Sequence, residues 1–345
     1  MKAAFVGSQS SVVVKDIPVP ALRPGAILVQ MRACGLCGSD LEKIYGKYGM
    51  RSGRLGHEPA GEIVSIARQI NDFNDFREGD RVFVHHHVSC SSCYFCLHGN
   101  STMCSMYQHS NIDPCGLSEQ FLVPQENIER GGILKLPDNV TFEAASLIEP
   151  LACCLRAIRK SRFQYGDNVA IFGAGPTGVM LAALARSSGA NSVVLIDYNQ
   201  FRLDFAKKYG DFEALNAEDG SLKDSINDLT EKRGADISVV ATGNSAAIRN
   251  GLQVTRKGGT VVLFGVPSKD EEIPLDLSSI YANEHYIVPS YAASEIETNL
   301  SLKIIANGRL NIGSLITHRY AIEHTAEAVR EAHKATDTMK TIIIN

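Results

Sequence analysis

The sequence predicts an α/β protein in two parts, a doubly wound parallel sheet inserted into a β-rich domain. Three observations carry this prediction. Short β-branched runs alternate with helical stretches between about 151 and 285, which is the signature of βαβ units. A glycine-rich turn opens one of those helices. The segments before 150 and after 286 are richer in short strands and turns, and they resemble each other more than either resembles the middle.

The elements follow in order. Before 150 the strand-like runs are Ala26–Arg32, Ala60–Ile66, Arg81–His85 and Glu119–Pro124, each bounded by Gly, Pro or Asp. Leu151–Ser161 reads as a helix. After it come strands at Asn168–Phe172, Ser192–Asp197, Ile237–Ala241 and Gly259–Phe264, with helices at Val179–Ser188 and Phe201–Tyr209 between them. The last run, Thr341–Asn345, reads as an edge-like strand. The division expected is 1–150 with 286–345 in one domain and 151–285 in the other, consistent with 345 residues at about 150 per domain.

Composition narrows the partners. The chain is 44% hydrophobic and 21% charged, so it buries a core; its net charge of −4 carries no block of like charge to follow nucleic acid or an anionic membrane. A small-molecule ligand, no nucleic acid and no membrane are therefore expected. With no signal peptide and no run of about 18 apolar residues, a cytoplasmic location is expected too.

Gly173-Ala-Gly175-Pro176-Thr177-Gly178 follows an apolar strand and opens a helix rich in small residues. Gly173 makes the tight turn, Gly175 lets a pyrophosphate approach the backbone, and Gly178 lets helix meet strand. The N–H groups at the helix start receive the phosphates. The next strand ends in Asp197, placed to bind ribose hydroxyls and to repel a 2′-phosphate, which favours NAD over NADP. Arg202 either flanks the adenine or is an exposed helix charge. Thr242 and the Gly265-Val266-Pro267 turn end two later strands, where ligands of such sheets bind.

Two sets of residues are metal-like. Cys90, Cys93, Cys96 and Cys104 form C-x2-C-x2-C-x7-C, a spacing suited to a closed structural zinc site. An iron–sulfur cluster is the rival, although Ser105 rather than proline follows the last cysteine; four reduced thiols are the plain alternative. The second set is dispersed: Cys37, the His57-Glu58 pair and Glu149. One thiolate, one imidazole and one or two carboxylates match a catalytic zinc with an open position, provided the fold brings them together.

Gly56-His-Glu, Cys37-Gly-Ser-Asp40, Gly79-Asp-Arg-Val82, the four-cysteine loop and Gly-Ala-Gly-Pro-Thr-Gly stand in the order of the zinc-dependent medium-chain alcohol dehydrogenases, which the chain resembles over nearly its whole length. Glu149-Pro, where simple alcohol dehydrogenases carry a second cysteine, is similar to the polyol, sugar and threonine dehydrogenase branch. The resemblance implies a GroES-like catalytic domain, a Rossmann domain, and a cleft between them. It implies Cys37 and His57 as zinc ligands, Glu58 and Glu149 alternating as the third, and Asp40 behind His57. It further implies Ser39 as first acceptor of the substrate proton, hydride transfer between a secondary alcohol and NAD, and a homo-oligomer, tetramer or dimer.

Some residues depart from the pattern or stay open. Glu42 replaces a frequent relay histidine, and either carries protons or is solvated. In His85-His86-His87, strand alternation sends His86 to the opposite face from its neighbours, which argues against a joint ligand set; the resemblance to the threonine dehydrogenases, which have a histidine at the position of His87, implies that His87 borders the substrate. Cys34, Cys153 and Cys154 read as packing residues, and His98, His109, His318 and His324 as surface or turn residues. The alternative to an enzyme is a non-catalytic nucleotide-binding or redox-sensing protein on the same fold, which need not keep all four zinc-type residues.

Overall fold

The computed structural model describes the chain except for residues 9, 47–52, 68–75, 211 and 221. It divides into two compact units, Met1–Ala152 with Ala292–Asn345, and Cys153–Tyr291. No helix among the described residues is long and apolar enough to cross a membrane.

The first unit begins with an antiparallel pair, β1 (Lys2–Val6) and β2 (Val12–Asp16). It continues through β3 (Ile27–Gly35), β4 (Pro59–Ile66), β5 (Arg81–Val84), β6 (Gln120–Val123) and β7 (Ile133–Lys135). The second unit contributes β8 (Asn168–Phe172), β9 (Ser192–Asp197), β10 (Glu213–Asn216), β11 (Ala235–Val240), β12 (Thr255–Leu263) and β13 (Tyr286–Pro289). The chain then returns to the first unit with β14 (Ile316–Ala321) and β15 (Lys340–Ile344).

In the first unit a seven-stranded sheet runs β14-β15-β3-β4-β5-β7, with β6 also paired to β3. Its inward side chains, among them Ile27, Val29, Met31, Ile63, Val82, Val84 and Phe121, form one apolar core. β15 is not an edge strand. It lies parallel to β14 and antiparallel to β3, with Ile342 and Ile343 fully buried. The run of isoleucines signals this, because a strand covered on both sides reads as continuously apolar.

In the second unit six parallel strands run β10-β9-β8-β11-β12-β13. Renumbered from β8 this is 3-2-1-4-5-6, the order of the Rossmann sheet, whose strand polarity reverses its winding beside β8. All five residues of β8 are buried, as a central parallel strand requires. The helix Pro176–Ser187 buries every residue from Gly178 to Ala185 against this sheet. β13 pairs with β12, so residues 286–291 belong to this unit and not, as expected from sequence, to the other. Its exposed ends hide that membership in the sequence, since Tyr286 and Pro289 remain exposed.

Candidate active site

Cys37 precedes the helix Gly38–Tyr45, and Asp40 sits in that helix's first turn. His57 and Glu58 lie immediately before β4, so the antiparallel pairing of β3 with β4 carries the two sequence-distant pairs to one place. One donor atom each from Cys37, His57 and Glu58 lies within 4.8 Å of the others. A zinc with ligand bonds of about 2.0–2.3 Å fits such spacing.

Two of the three donors, His57 and Glu58, are held from behind. Asp40 is fully buried, and its Oδ1 lies 3.4 Å from His57 Nδ1 and 3.1 Å from Lys43 Nζ. Burial opposes its charge, but His57 and Lys43 outweigh it and hold the carboxyl well below the usual range. Burial likewise opposes a proton on His57, yet Asp40 and Cys37 raise its pKa well above the ordinary value. With Nδ1 facing Asp40, Nε2 is the nitrogen left available to a metal, and Ser39 Oγ lies 3.5 Å from it.

Glu58 carries a partner that sequence reasoning missed. Lys340 Nζ, from β15, lies 2.8 Å from Oε1 and 2.6 Å from Oε2, with the glutamate fully buried and the lysine side chain 4% exposed. Burial works against the ammonium, and the charges of Glu58 and Cys37 more than restore it, so its pKa rises. Gly35 makes room for the pair: a Cβ there would overlap Glu58 Oε2 and lie 2.9 Å from Lys340 Cε. The available signal was a lysine opening an otherwise apolar strand, because a charge inside a core strand requires a countercharge.

Glu149 is buried in the first turn of the helix Ile148–Lys160, and its charge raises both Lys43 and Lys340. It faces the same group of charges but lies outside the three donor atoms that meet within 4.8 Å. Glu42 is half-buried, its carboxylate folded against Gly46 at the end of its own helix.

The histidine triplet departs from the alternation expected. β5 ends at Val84, and beyond it the His86 and His87 rings lie 3.8 Å apart, centroid to centroid, with His86 5.3 Å from His57. Alternation applies to a strand, and these residues are past its end. Asn127, fully buried, donates Nδ2–H to the His85 and His86 carbonyls at 3.2 and 2.9 Å and pins this stretch. Burial lowers the pKa of His85 to about 3 and of His87 to about 4. The triplet is not among the groups of metal-type donors that converge among the described residues.

The other such group is Cys90, Cys93, Cys96 and Cys104, whose sulfurs all lie within 4.8 Å of one another. Cys96 Sγ is 3.9 Å from Cys90 Sγ and 3.6 Å from Cys93 Sγ. Four sulfurs at about 2.3 Å from one zinc would be separated by about 3.8 Å. None of the nine cysteines forms a disulfide. Hydrogen bonds from Ser92 draw the Cys90 thiol down to about 6, while burial pushes Cys96 up to about 11. Two tethers brace this region: Glu295 accepts from Ser89 N–H at 2.5 Å and from its hydroxyl at 3.2 Å, and Tyr107 donates to the Ala293 carbonyl.

In the second unit Gly173 has φ +110°, and a Cβ on Gly178 would overlap the Gly173 carbonyl. Gly175 caps the helix with Pro176 and Thr177 following, and a Cβ there would meet nothing nearer than the Arg202 guanidinium at 3.7 Å. That open space beside free N–H groups suits a diphosphate. Asp197 accepts from Ala174 N–H at 2.7 Å and Asn199 N–H at 2.9 Å, and Arg202 Nη1 lies 3.9 Å away. Thr242 and Gly265-Val266-Pro267 follow the carboxyl ends of β11 and β12. Cys34 is fully buried, and Cys154 is buried with its thiol toward the Thr177 carbonyl. His98 and His109 bond carbonyls four residues back in their own short helices.

Comparison with known proteins agrees with this geometry. Residues 23–138 match the alcohol dehydrogenase GroES-like domain, and residues 176–307 match zinc-binding dehydrogenase. The chain is 31% identical to sorbitol dehydrogenase of Bacillus subtilis (strain 168) over 338 residues, covering 96% of this chain and 93% of that one. It is 30% identical to L-threonine 3-dehydrogenase of Pseudoalteromonas atlantica (strain T6c / ATCC BAA-1087) over 326 residues, 93% of each. An alcohol dehydrogenase from Thermus sp. ATN1 superposes with a TM-score of 0.87 at 25% identity, covering 100% of this chain and 99% of that chain. The relatives are dehydrogenases and the zinc donors converge, which favours the enzyme over a non-catalytic protein. The chain belongs to the zinc-dependent medium-chain alcohol dehydrogenases, an oxidoreductase family, in the branch of the polyol and threonine enzymes.

Proposed function

We propose that the chain oxidises a secondary hydroxyl of a polyol, sugar or hydroxyamino acid and passes the hydride to NAD. The observation that carries this reading is the convergence of Cys37, His57 and Glu58, with Asp40 behind His57 and Lys340 behind Glu58. Zinc bound there supplies Lewis acidity, which lowers the pKa of water from about 15.7 to about 7 and acts similarly on a hydroxyl.

The chain's own residues do the rest. Cys37 would supply its sulfur to the ion from the N-terminus of the helix Gly38–Tyr45. Asp40 orients His57 and fixes which nitrogen keeps its proton. Glu58 is the third donor, with Glu149 next to take its place. Ser39 is placed to accept the proton leaving the substrate hydroxyl. On the second unit Gly173, Gly175 and Gly178 shape the diphosphate site. Asp197, already oriented by two backbone N–H groups, is left to meet the ribose hydroxyls. That negative charge supports NAD over NADP, and Arg202 beside it softens the repulsion without removing it. Symmetric association as a dimer or tetramer belongs to the same reading.

The test is a panel of polyols, aldoses and hydroxyamino acids assayed with NAD and NADP, alongside zinc analysis. About two zinc ions per chain and faster turnover with NAD are expected. Zinc confined to the cysteine loop, or NADP outperforming NAD throughout, would overturn the reading.

A further inference from the structure

The helix Gly38–Tyr45 places Asp40 and Lys43 three residues apart on one face, so the helix itself brings the two side chains together. Lys43 Nζ donates to Asp40 Oδ1 at 3.1 Å, while Oδ2 accepts from the Cys37 N–H at 3.4 Å. The lysine side chain is 14% exposed and the aspartate is fully buried. Burial opposes the ammonium, and the charges of Asp40, Cys37 and Glu149 outweigh it, so Lys43 keeps its proton.

The oxygen that Lys43 takes is the one that faces His57. His57 Nδ1 lies 3.4 Å from Oδ1, yet it is buried and makes no hydrogen bond among the described residues. One carboxylate oxygen thus meets two donors, and the ammonium, charged and nearer, is the stronger. A carboxylate bonded to the far nitrogen of a metal-binding imidazole raises its basicity. A carboxylate engaged elsewhere does so less, which leaves a metal on that imidazole less tightly held and more electrophilic.

We propose that Lys43 is a positioning residue, which by occupying the Asp40 oxygen that faces His57 limits how strongly His57 donates to a metal beside Cys37, and so sets the affinity of that site for zinc. The proposal rests on the reading of Cys37, His57 and Glu58 as zinc donors and uses nothing of the substrate. Lys43 takes no part in the ligand set; it acts through Asp40.

The experiment uses the full chain, with zinc titrated against a competing chelator and the site identified by its loss in Cys37→Ser. Lys43→Met binds zinc about 10-fold more tightly than wild type, the scale on which partners of metal ligands act. In the zinc-loaded chain labelled with nitrogen-15 histidine, its His57 Nδ1 proton moves downfield as the bond to Asp40 forms. Lys43→Arg returns both readings to wild type. In an Asp40→Asn background, Lys43→Met changes zinc affinity by no more than about twofold, because the route through the carboxylate is cut. Unaltered or weaker zinc binding by Lys43→Met, as when the lysine only balances a buried charge, overturns the proposal, and so does tightening that survives in full with Asp40→Asn. If Lys43→Met fails to fold, Lys43→Gln decides in its place: tighter zinc supports the proposal and equal affinity refutes it. A wild-type chain that takes up no zinc beside Cys37 overturns this proposal and the donor assignment together. One that takes it up but oxidises no alcohol overturns the activity alone, and the ranking of the Lys43 variants still stands as the test.

Discussion

Removing the ammonium of Lys340 isolates what the buried pair does for the site. Lys340→Met keeps the length of the side chain and leaves Glu58 fully buried without its countercharge. At 2.6–2.8 Å and an effective dielectric of about 20, the lost attraction is about 6 kcal/mol. The desolvation that pairing had offset reduces the net, and one-sided loss of such a pair typically destabilises by about 3–5 kcal/mol. In the double variant Lys340→Met/Glu58→Gln no charge is stranded, so most of that loss should return. Zinc changes the comparison, since a cation beside Glu58 replaces the missing lysine. Lys340→Met should therefore lose less stability with zinc than without it, and by linkage should hold the ion more tightly, tenfold for each 1.4 kcal/mol of difference. Denaturant midpoints of the zinc-stripped and zinc-loaded chain, with competitive zinc titration, measure all three quantities. A zinc-stripped Lys340→Met chain within about 1 kcal/mol of wild type would refute the reasoning, because the pair would then carry no net countercharge.

Three further outcomes are expected. Gly35→Ala places a methyl against Glu58 Oε2 and Lys340 Cε, and should destabilise by about 1–3 kcal/mol and lower zinc retention beside Cys37, read by denaturation and metal analysis. Cys93→Ser should release one zinc per chain while the ion beside Cys37 stays, and should lower the thermal midpoint; loss of both ions together would contradict the two-site assignment. His85 is neutral when folded, with its pKa lowered to about 3, whereas the unfolded chain takes up a proton below about 6.5. Its contribution is therefore complete above pH 6.5 and falls by about 1.4 kcal/mol per unit as pH drops toward 3. Stability measured between pH 6.5 and 5 should decline less steeply in His85→Leu, and parallel slopes would count against the sealed, unprotonated ring.

Much of this was legible beforehand, for definite reasons. β8 and β9 span Asn168–Phe172 and Ser192–Asp197 as read from sequence, because central parallel strands are short apolar runs with sharp ends. The convergence of the four cysteine sulfurs was legible because they lie within one short loop. Lys340 was not, since its partner is 282 residues away and no local rule joins them. β15 was misread as an edge because strand order is a property of the sheet, and β14 had no strong pattern of its own. The alternation expected across the histidine triplet, though not the reading that the three form no joint ligand set, failed for a smaller reason: the strand stops one residue earlier than its composition suggests, and the period of two ends with it.

The insertion of one unit within the other has a consequence for synthesis. At about 5–20 residues per second, Lys340 leaves the ribosome roughly 15–55 s after Glu58. Throughout that interval the first sheet lacks an interior strand, and Glu58, fully buried in the finished fold, is without Lys340. A cation taken up beside Cys37 in that interval would answer the charge of Glu58 before β15 pairs with β3.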